Sequence, residues 1–180
     1  TSSNTGLIPN PTVTYSTANA TGSIAFTPAA DQSGTATITV TVEDGGQDGN
    51  LRTAGDNATF SRTFDVTVSA VNDTPTLNAI GHLTINEDAS EQTVNLAGIT
   101  VGGGESQPLR VTSTSSNTGL IPNPTVTYTS ANATGSLAFT PVTQQSGTAT
   151  ITVTVEDGGL DGNLSTAGDN ATFSRTFDVT

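Results

Sequence analysis

Alternation with a period of two runs through this chain. In Thr35 to Glu43, TATITVTVE, Ala36, Ile38, Val40 and Val42 share one face while Thr37, Thr39 and Thr41 share the other. Successive side chains of an extended strand point to opposite sides, so this pattern predicts a strand with one face packed and one wet. The same pattern recurs in Thr148 to Glu156, in Thr63 to Ser69 with Phe64, Val66 and Val68 inward, in Val13 to Ser16, and in Ser23 to Thr27 with Ile24 and Phe26 on one face. Further strands are expected at His82 to Asn86, Gln92 to Leu96 and Leu109 to Thr112. Pro11, Pro28, Gly34 and the GGGES run at 102–106 punctuate them. No long stretch carries the 3.6-residue period of an amphipathic helix, so the expectation is an all-β protein of antiparallel sandwiches.

The pattern is also duplicated. Residues 1–67 align without a gap onto 114–180, 113 positions on, and differ at only eight positions: 16/129, 17/130, 24/137, 29/142, 30/143, 31/144, 47/160 and 52/165. A period of that length is large enough for each unit to close its own core, unlike the short repeats of solenoids. Pro75 cannot donate to a central ladder and follows a completed strand, which places a domain boundary near it. The expected organisation is therefore residues 1–73 as the rear part of one sandwich, truncated on its N-terminal side, and 74–180 as a nearly complete second one. Such a first unit would present an unpaired sheet edge. The whole reads as a fragment of a longer tandem array.

Charge narrows the function. Sixteen acids face four bases, all arginine, for a net charge of −12. Nucleic acid and anionic membrane surfaces are poor partners for such a chain, whereas cations are good ones. No apolar run is long enough for a membrane-spanning helix. Catalysis is not expected, because the chain holds no Cys or Lys, its one histidine, His82, lies near the start of an expected strand, and no nucleophile-elbow motif accompanies the many Ser and Thr residues.

The acids cluster. Glu43, Asp44, Asp48 and Asp56 fall in one Gly- and Asn-rich loop and recur as Glu156, Asp157, Asp161 and Asp169. Asn72 and Asp73 stand at the expected domain junction, and Glu87 and Asp88 where a strand ends. Carboxylates interleaved with Asn and Gly suit Ca²⁺, a hard ion that takes six to eight oxygen ligands. The competing reading is that Asp-Gly pairs simply make soluble turns. Neither the EF-hand spacing nor the GGxGxD nonapeptide is present.

The run TVEDGG (41–46) followed by FDVTVSAVNDTP (64–75) resembles the end of a cadherin repeat, in which an A-x-D-x-G segment precedes a D-x-N-D-N-x-P linker. The resemblance implies Ca²⁺ between successive domains, with Asp44 or Asp157 at the first motif, Asn72 and Asp73 at the linker and Glu87 at the end of a first strand. Asp88 and Glu156 are added as neighbouring candidates. Ala70 and Thr74 depart from the linker pattern, and the mid-repeat glutamate has no counterpart, which implies fewer ions per junction than a full cadherin site holds. The segments VNDTPTL, LAGITVGGGESQPLRVTS and GTATITVTVEDGG are in turn similar to immunoglobulin-like or cadherin-like tandem repeats of very large secreted bacterial surface proteins and adhesins. That likeness implies an extracellular, cell-surface stalk whose partners are neighbouring repeats, with cell adhesion or biofilm attachment through domains elsewhere. The rival expectation is a module that binds carbohydrate or another cell surface, to which Tyr15 and Tyr128 could contribute. Arg62 and Arg175, at alternation positions shared with phenylalanines, are expected to pair with a local acid or emerge at a bulge.

Overall fold

The computed structural model describes residues 1–17, 19–53 and 55–180. Its regular elements are ten strands: β1 (Thr12–Thr14), β2 (Ser23–Ala25), β3 (Gly34–Glu43), β4 (Thr59–Val68), β5 (Gln92–Ala97), β6 (Leu109–Ser115), β7 (Thr125–Thr127), β8 (Thr134–Phe139), β9 (Ala149–Asp157) and β10 (Thr172–Val179). Every strand pairing is antiparallel. The chain divides into two compact units, Thr1–Ala70 and Val71–Thr180. Val71, Asn72 and Asp73 thus belong to the second unit.

Unit 2 is a sandwich of two three-stranded sheets, β10-β9-β6 and β5-β8-β7. Strand β9 is central in its sheet, and the alternation read from its sequence is realised in full: Ala149, Ile151, Val153, Val155 and Asp157 face the core. They meet Val94 and Leu96 of β5 and Leu137 and Phe139 of β8 across the interior, with Phe177 and Val179 of β10 completing one apolar cluster. On the opposite face of the sheet the register aligns Thr114, Thr152 and Thr176 in one row and Thr112, Thr154 and Ser174 in the next.

Unit 1 contains the same rear elements in two two-stranded sheets, β3-β4 and β1-β2. Among the described residues it has no partners corresponding to β5 and β6. Its buried core shrinks to Leu7, Ile8, Ala36 and Ile38. Identical side chains consequently meet different surroundings: Val155 is fully buried, whereas its counterpart Val42 is 63% exposed. Thr1 to Ser3 hold a short stretch of the free edge of β3 through the Ser2–Ile38 bridge and the Ser3 N–H to Thr37 carbonyl bond, the place that the end of β6 takes beside β9.

Two expectations are altered. Residues 82–86 form no strand; they touch the sheet through one parallel bridge between Leu83 and Val179 and through N–H groups of Leu83 and Ile85 given to the carbonyls of Asp178 and Thr180. The Asp178 N–H goes to the His82 imidazole Nδ1 at 2.9 Å in place of a backbone carbonyl, which shortens the ladder. Among the described residues Arg175 pairs with no acid. Its Nε donates to the Leu77 carbonyl at 3.1 Å and its guanidinium lies 4.8 Å over the Phe173 ring, while Arg62 lies over Phe60 at 4.7 Å.

Candidate functional site

The acid-rich loop after β9 is built by its own side chains. Asp157 Oδ1 accepts the N–H groups of Gly159 at 2.9 Å and Ala171 at 2.8 Å, pinning both ends of the loop to the strand end. Asp161 Oδ1 accepts Asn163 N–H, Asn163 Oδ1 accepts Ser165 N–H, and Asp169 Oδ2 accepts Asp161 N–H. These short side-chain-to-backbone bonds are what Asp and Asn supply at turns. Gly159 has φ +60°, and a Cβ there would meet the Asp169 carboxyl, so glycine is required. The loop after β3 repeats the scheme: Asp44 Oδ1 accepts Gly46 N–H at 3.0 Å and Ala58 N–H at 2.9 Å. These two bonds, Ala58 first, hold the Asp44 carboxyl below its ordinary range because they favour the ionised form.

What differs is the cover. In unit 2 the chain enters across the loop, and Asn72 Nδ2 donates to Asp157 Oδ1 at 3.0 Å and to the Asp169 carbonyl at 2.9 Å. Gln107 Nε2 donates to Asn72 Oδ1 at 2.7 Å and to Glu105 Oε2, and Glu105 Oε2 also accepts the Asp73 N–H at 3.3 Å. Gly103 leaves room for the Asp73 side chain, which a Cβ at that position would strike. Pro108 covers Gly158, where an added Cβ would come within 2.9 Å of Pro108 Cγ. Beneath this lid Asp157 is fully buried, the only buried charged side chain among the described residues. Asp44, without a lid, is exposed.

Several oxygens in this cluster have no hydrogen-bond donor although they are shut off from solvent: Gln107 Oε1, Asp157 Oδ2, Asp169 Oδ1 and Asn170 Oδ1. Glu156, beside them, is engaged by donors instead. Its carboxylate is held by the Arg110 guanidinium and by Asn170 Nδ2, and those bonds, Arg110 first, lower its pKa. Among the described residues no three or more His, Asp or Glu side chains converge as a metal-binding group.

The sequence-based candidates therefore separate. Asn72, Asp73 and Asp157 gather at one end of unit 2, Glu156 lies beside them in an ion pair, and Asp44 occupies the equivalent loop of unit 1. Glu87 and Asp88 lie elsewhere. Asp88 Oδ1 accepts the Gln144 N–H at 2.8 Å, and Glu87 borders a recess with Ile85, Leu120, Gly147 and Thr180. Because Val179 pairs with Ala149 and Thr172 with Glu156, that recess is at the far end of β9 and β10 from Asp157, roughly 25 Å away at the usual rise per residue.

A sequence profile for the bacterial Ig domain matches residues 1–55 and 72–174. The chain belongs to the bacterial Ig domain family. Its second matched stretch opens at Asn72, the residue that covers Asp157. No curated protein matches the chain. Among solved structures it is similar to domains 4 and 5 of the S-layer protein SbsC, with 16% identity and a TM-score of 0.40 over all of this chain and 68% of that one.

In this bacterial Ig domain, Glu105 and Gln107 are the participants that sequence reasoning passed over. Their signal was slight: one acid and one amide in a glycine-rich turn, far from the loop they reach. Asp169 and Asn170 belonged to the acidic loop but stood two and one residues ahead of Ala171, outside the motifs used to choose ligands. Tyr128 packs against the apolar cluster of its domain, and burial raises its pKa, the behaviour of a packing residue.

Proposed function

We propose that this chain is an extension segment of a large extracellular bacterial surface protein, in which successive bacterial Ig domains act as spacers that carry adhesive parts away from the cell. The observation that carries this reading is how the chain enters unit 2: Asn72 is bonded to the buried Asp157 at one end of the sandwich, while Thr180 leaves β10 at the other. Entering and leaving at opposite ends, with the entering segment bonded to the body of the domain, suits a module whose task is to transmit length and direction.

Calcium is the cofactor that fits this end. Asp73, Glu105, Asp157 and Asp169 give this end of the domain its negative charge, although no three of their carboxylates converge, and the nearby Arg110 is engaged by Glu156. The oxygens of Asp157, Asp169, Asn170 and Gln107 that lack donors are of the hard type that Ca²⁺ takes. The ion would neutralise the charge and hold the Asn72 segment against the loop, so that the linker before it bends less. Neighbouring repeats of the same chain are the partners in this scheme.

Small-angle scattering on the chain in Ca²⁺ and in EGTA tests it. Stiffening predicts a larger maximum dimension and a narrower distribution in Ca²⁺; identical profiles in the two buffers would remove the stiffening role.

A further inference from the structure

Of the buried side-chain polar atoms without a hydrogen-bond partner among the described residues, seven in number, only Ser113 Oγ and Tyr128 Oη can donate; the other five are pure acceptors. Four of those five lie in the Asp157 cluster, and the fifth, Asn57 Oδ1, is the unit 1 counterpart of Asn170 Oδ1. Random packing defects would orphan N–H groups as well. Within the Asp157 cluster the surplus is of acceptors alone, which is what remains around a place meant for a cation, since a buried oxygen without a donor is costly.

The orientation of each group has a separate cause. Asp157 Oδ1 already accepts three N–H donors, from Asn72, Gly159 and Ala171, which leaves Oδ2 as the open oxygen. Asp169 gives Oδ2 to the Asp161 N–H and keeps Oδ1. Asn170 cannot turn its amide over, because Nδ2 donates to Glu156 Oε1 and the flipped oxygen would face that carboxylate. Gln107 is fixed in the same way by Asn72 Oδ1 and Glu105 Oε2. Each candidate ligand is thus held by a bond from its other atom, the arrangement by which outer partners orient ligands in metal sites.

We infer that unit 2 contains a divalent-cation site internal to a single domain, with Asp157 Oδ2, Asp169 Oδ1, Asn170 Oδ1 and Gln107 Oε1 as its side-chain ligands. The inference deepens the calcium reading above and moves the ion from a junction shared by two domains to the inside of one. Two carboxylates and two amide oxygens make a hard, all-oxygen set, which selects Ca²⁺ or Mg²⁺ over Zn²⁺, and its mixed, loop-borne geometry favours Ca²⁺. Asp73 and Glu105 raise the negative potential around it, and Asn72 ties the segment that carries Gln107 to the loop that carries the rest. The unit 1 loop keeps Asp44, Asp56 and Asn57 but has no counterpart of Asn72 or Gln107 in the chain. One tight site per chain follows.

Calorimetric titration of CaCl₂ into the metal-free full chain tests this, with MgCl₂ as the comparison ion and thermal unfolding as a second readout. The expected result is one tight site per chain, preference for Ca²⁺, and a rise in the melting temperature of unit 2. Asp157→Asn keeps Oδ1 for its three donors while replacing Oδ2 by an N–H₂ group, so it should fold and weaken binding at least ~10-fold; Gln107→Ala should weaken it too, and Asp44→Asn should leave it unchanged. No tight site, or a site untouched by both unit 2 variants, overturns the inference. Scattering on Asp157→Asn separates it from the stiffening role. Calcium-dependent extension that survives in that variant overturns the inference and leaves the stalk reading standing, whereas tight binding in the parent chain without any change in its extension does the reverse.

Discussion

Asp157 and Asp44 stand at the same point of the repeated sequence and accept the same pair of loop N–H groups, yet Asp157 is wholly buried and Asp44 is exposed. The difference comes from Asn72, Gln107 and Pro108, which lie over one loop and, among the described residues, have no equivalents over the other. Residues that are nearly indistinguishable in sequence serve here as internal controls for one another.

Removing the latch should loosen unit 2 and spare unit 1. Asn72→Ala takes away a donor to Asp157 Oδ1 and to the Asp169 carbonyl and an acceptor for Gln107. Leaving such partly buried groups without partners costs about 1–3 kcal/mol. Urea unfolding should show the unit 2 transition at lower denaturant and the unit 1 transition unmoved; a shift of both would mean that the residue acts outside its own domain.

The same substitution made in the two copies should have unequal effects. Phe177 is fully buried and its counterpart Phe64 is 42% exposed. Phe177→Ala should cost about 3–5 kcal/mol, as expected for a large cavity in a closed core, and Phe64→Ala about 1 kcal/mol or less. Equal losses in the two variants, measured by denaturant unfolding, would show that unit 1 has a closed core in solution.

Acid should weaken the Arg110–Glu156 pair selectively. The guanidinium lowers the folded-state pKa of Glu156 from its reference of 4.5, so the carboxylate is more acidic folded than unfolded. Its contribution is therefore complete above about pH 4.5 and disappears as the pH falls through the lower, folded-state value. For a pair this exposed the contribution is roughly 0.2–1 kcal/mol. Comparing Arg110→Ala with the parent by thermal unfolding, the gap should be constant from about pH 5 to 7 and should close below about pH 4.5. A gap that widened in acid would contradict the assignment.

Strand positions and the inward face of each strand were legible because a period of two is a local property: β3, β4 and β9 lie within a residue or a few of where alternation placed them. Residues 82–86 misled for the same reason, since alternation cannot say whether a neighbouring strand has open N–H and carbonyl groups to pair with. In the acidic loop, Asp157 and Asn72 were singled out by motif, but their bond spans 85 residues and no local pattern encodes it. Glu105 and Gln107 carried almost no signal.

By itself, then, the sequence determined the sandwich class, the duplication and the acid-rich character of the loops, all of which follow from hydrophobic period, identity at fixed spacing and charge. Only the tertiary structure decided that Asn72 belongs with the domain after it, that Glu87 sits about 25 Å from Asp157, that Glu156 is spent on Arg110, and that Val155 is dry where Val42 is wet. Those outcomes depend on which strands lie side by side and what covers them. Burial belongs to the assembled layers, and two identical segments acquire different chemistry once only one of them has a second layer to meet.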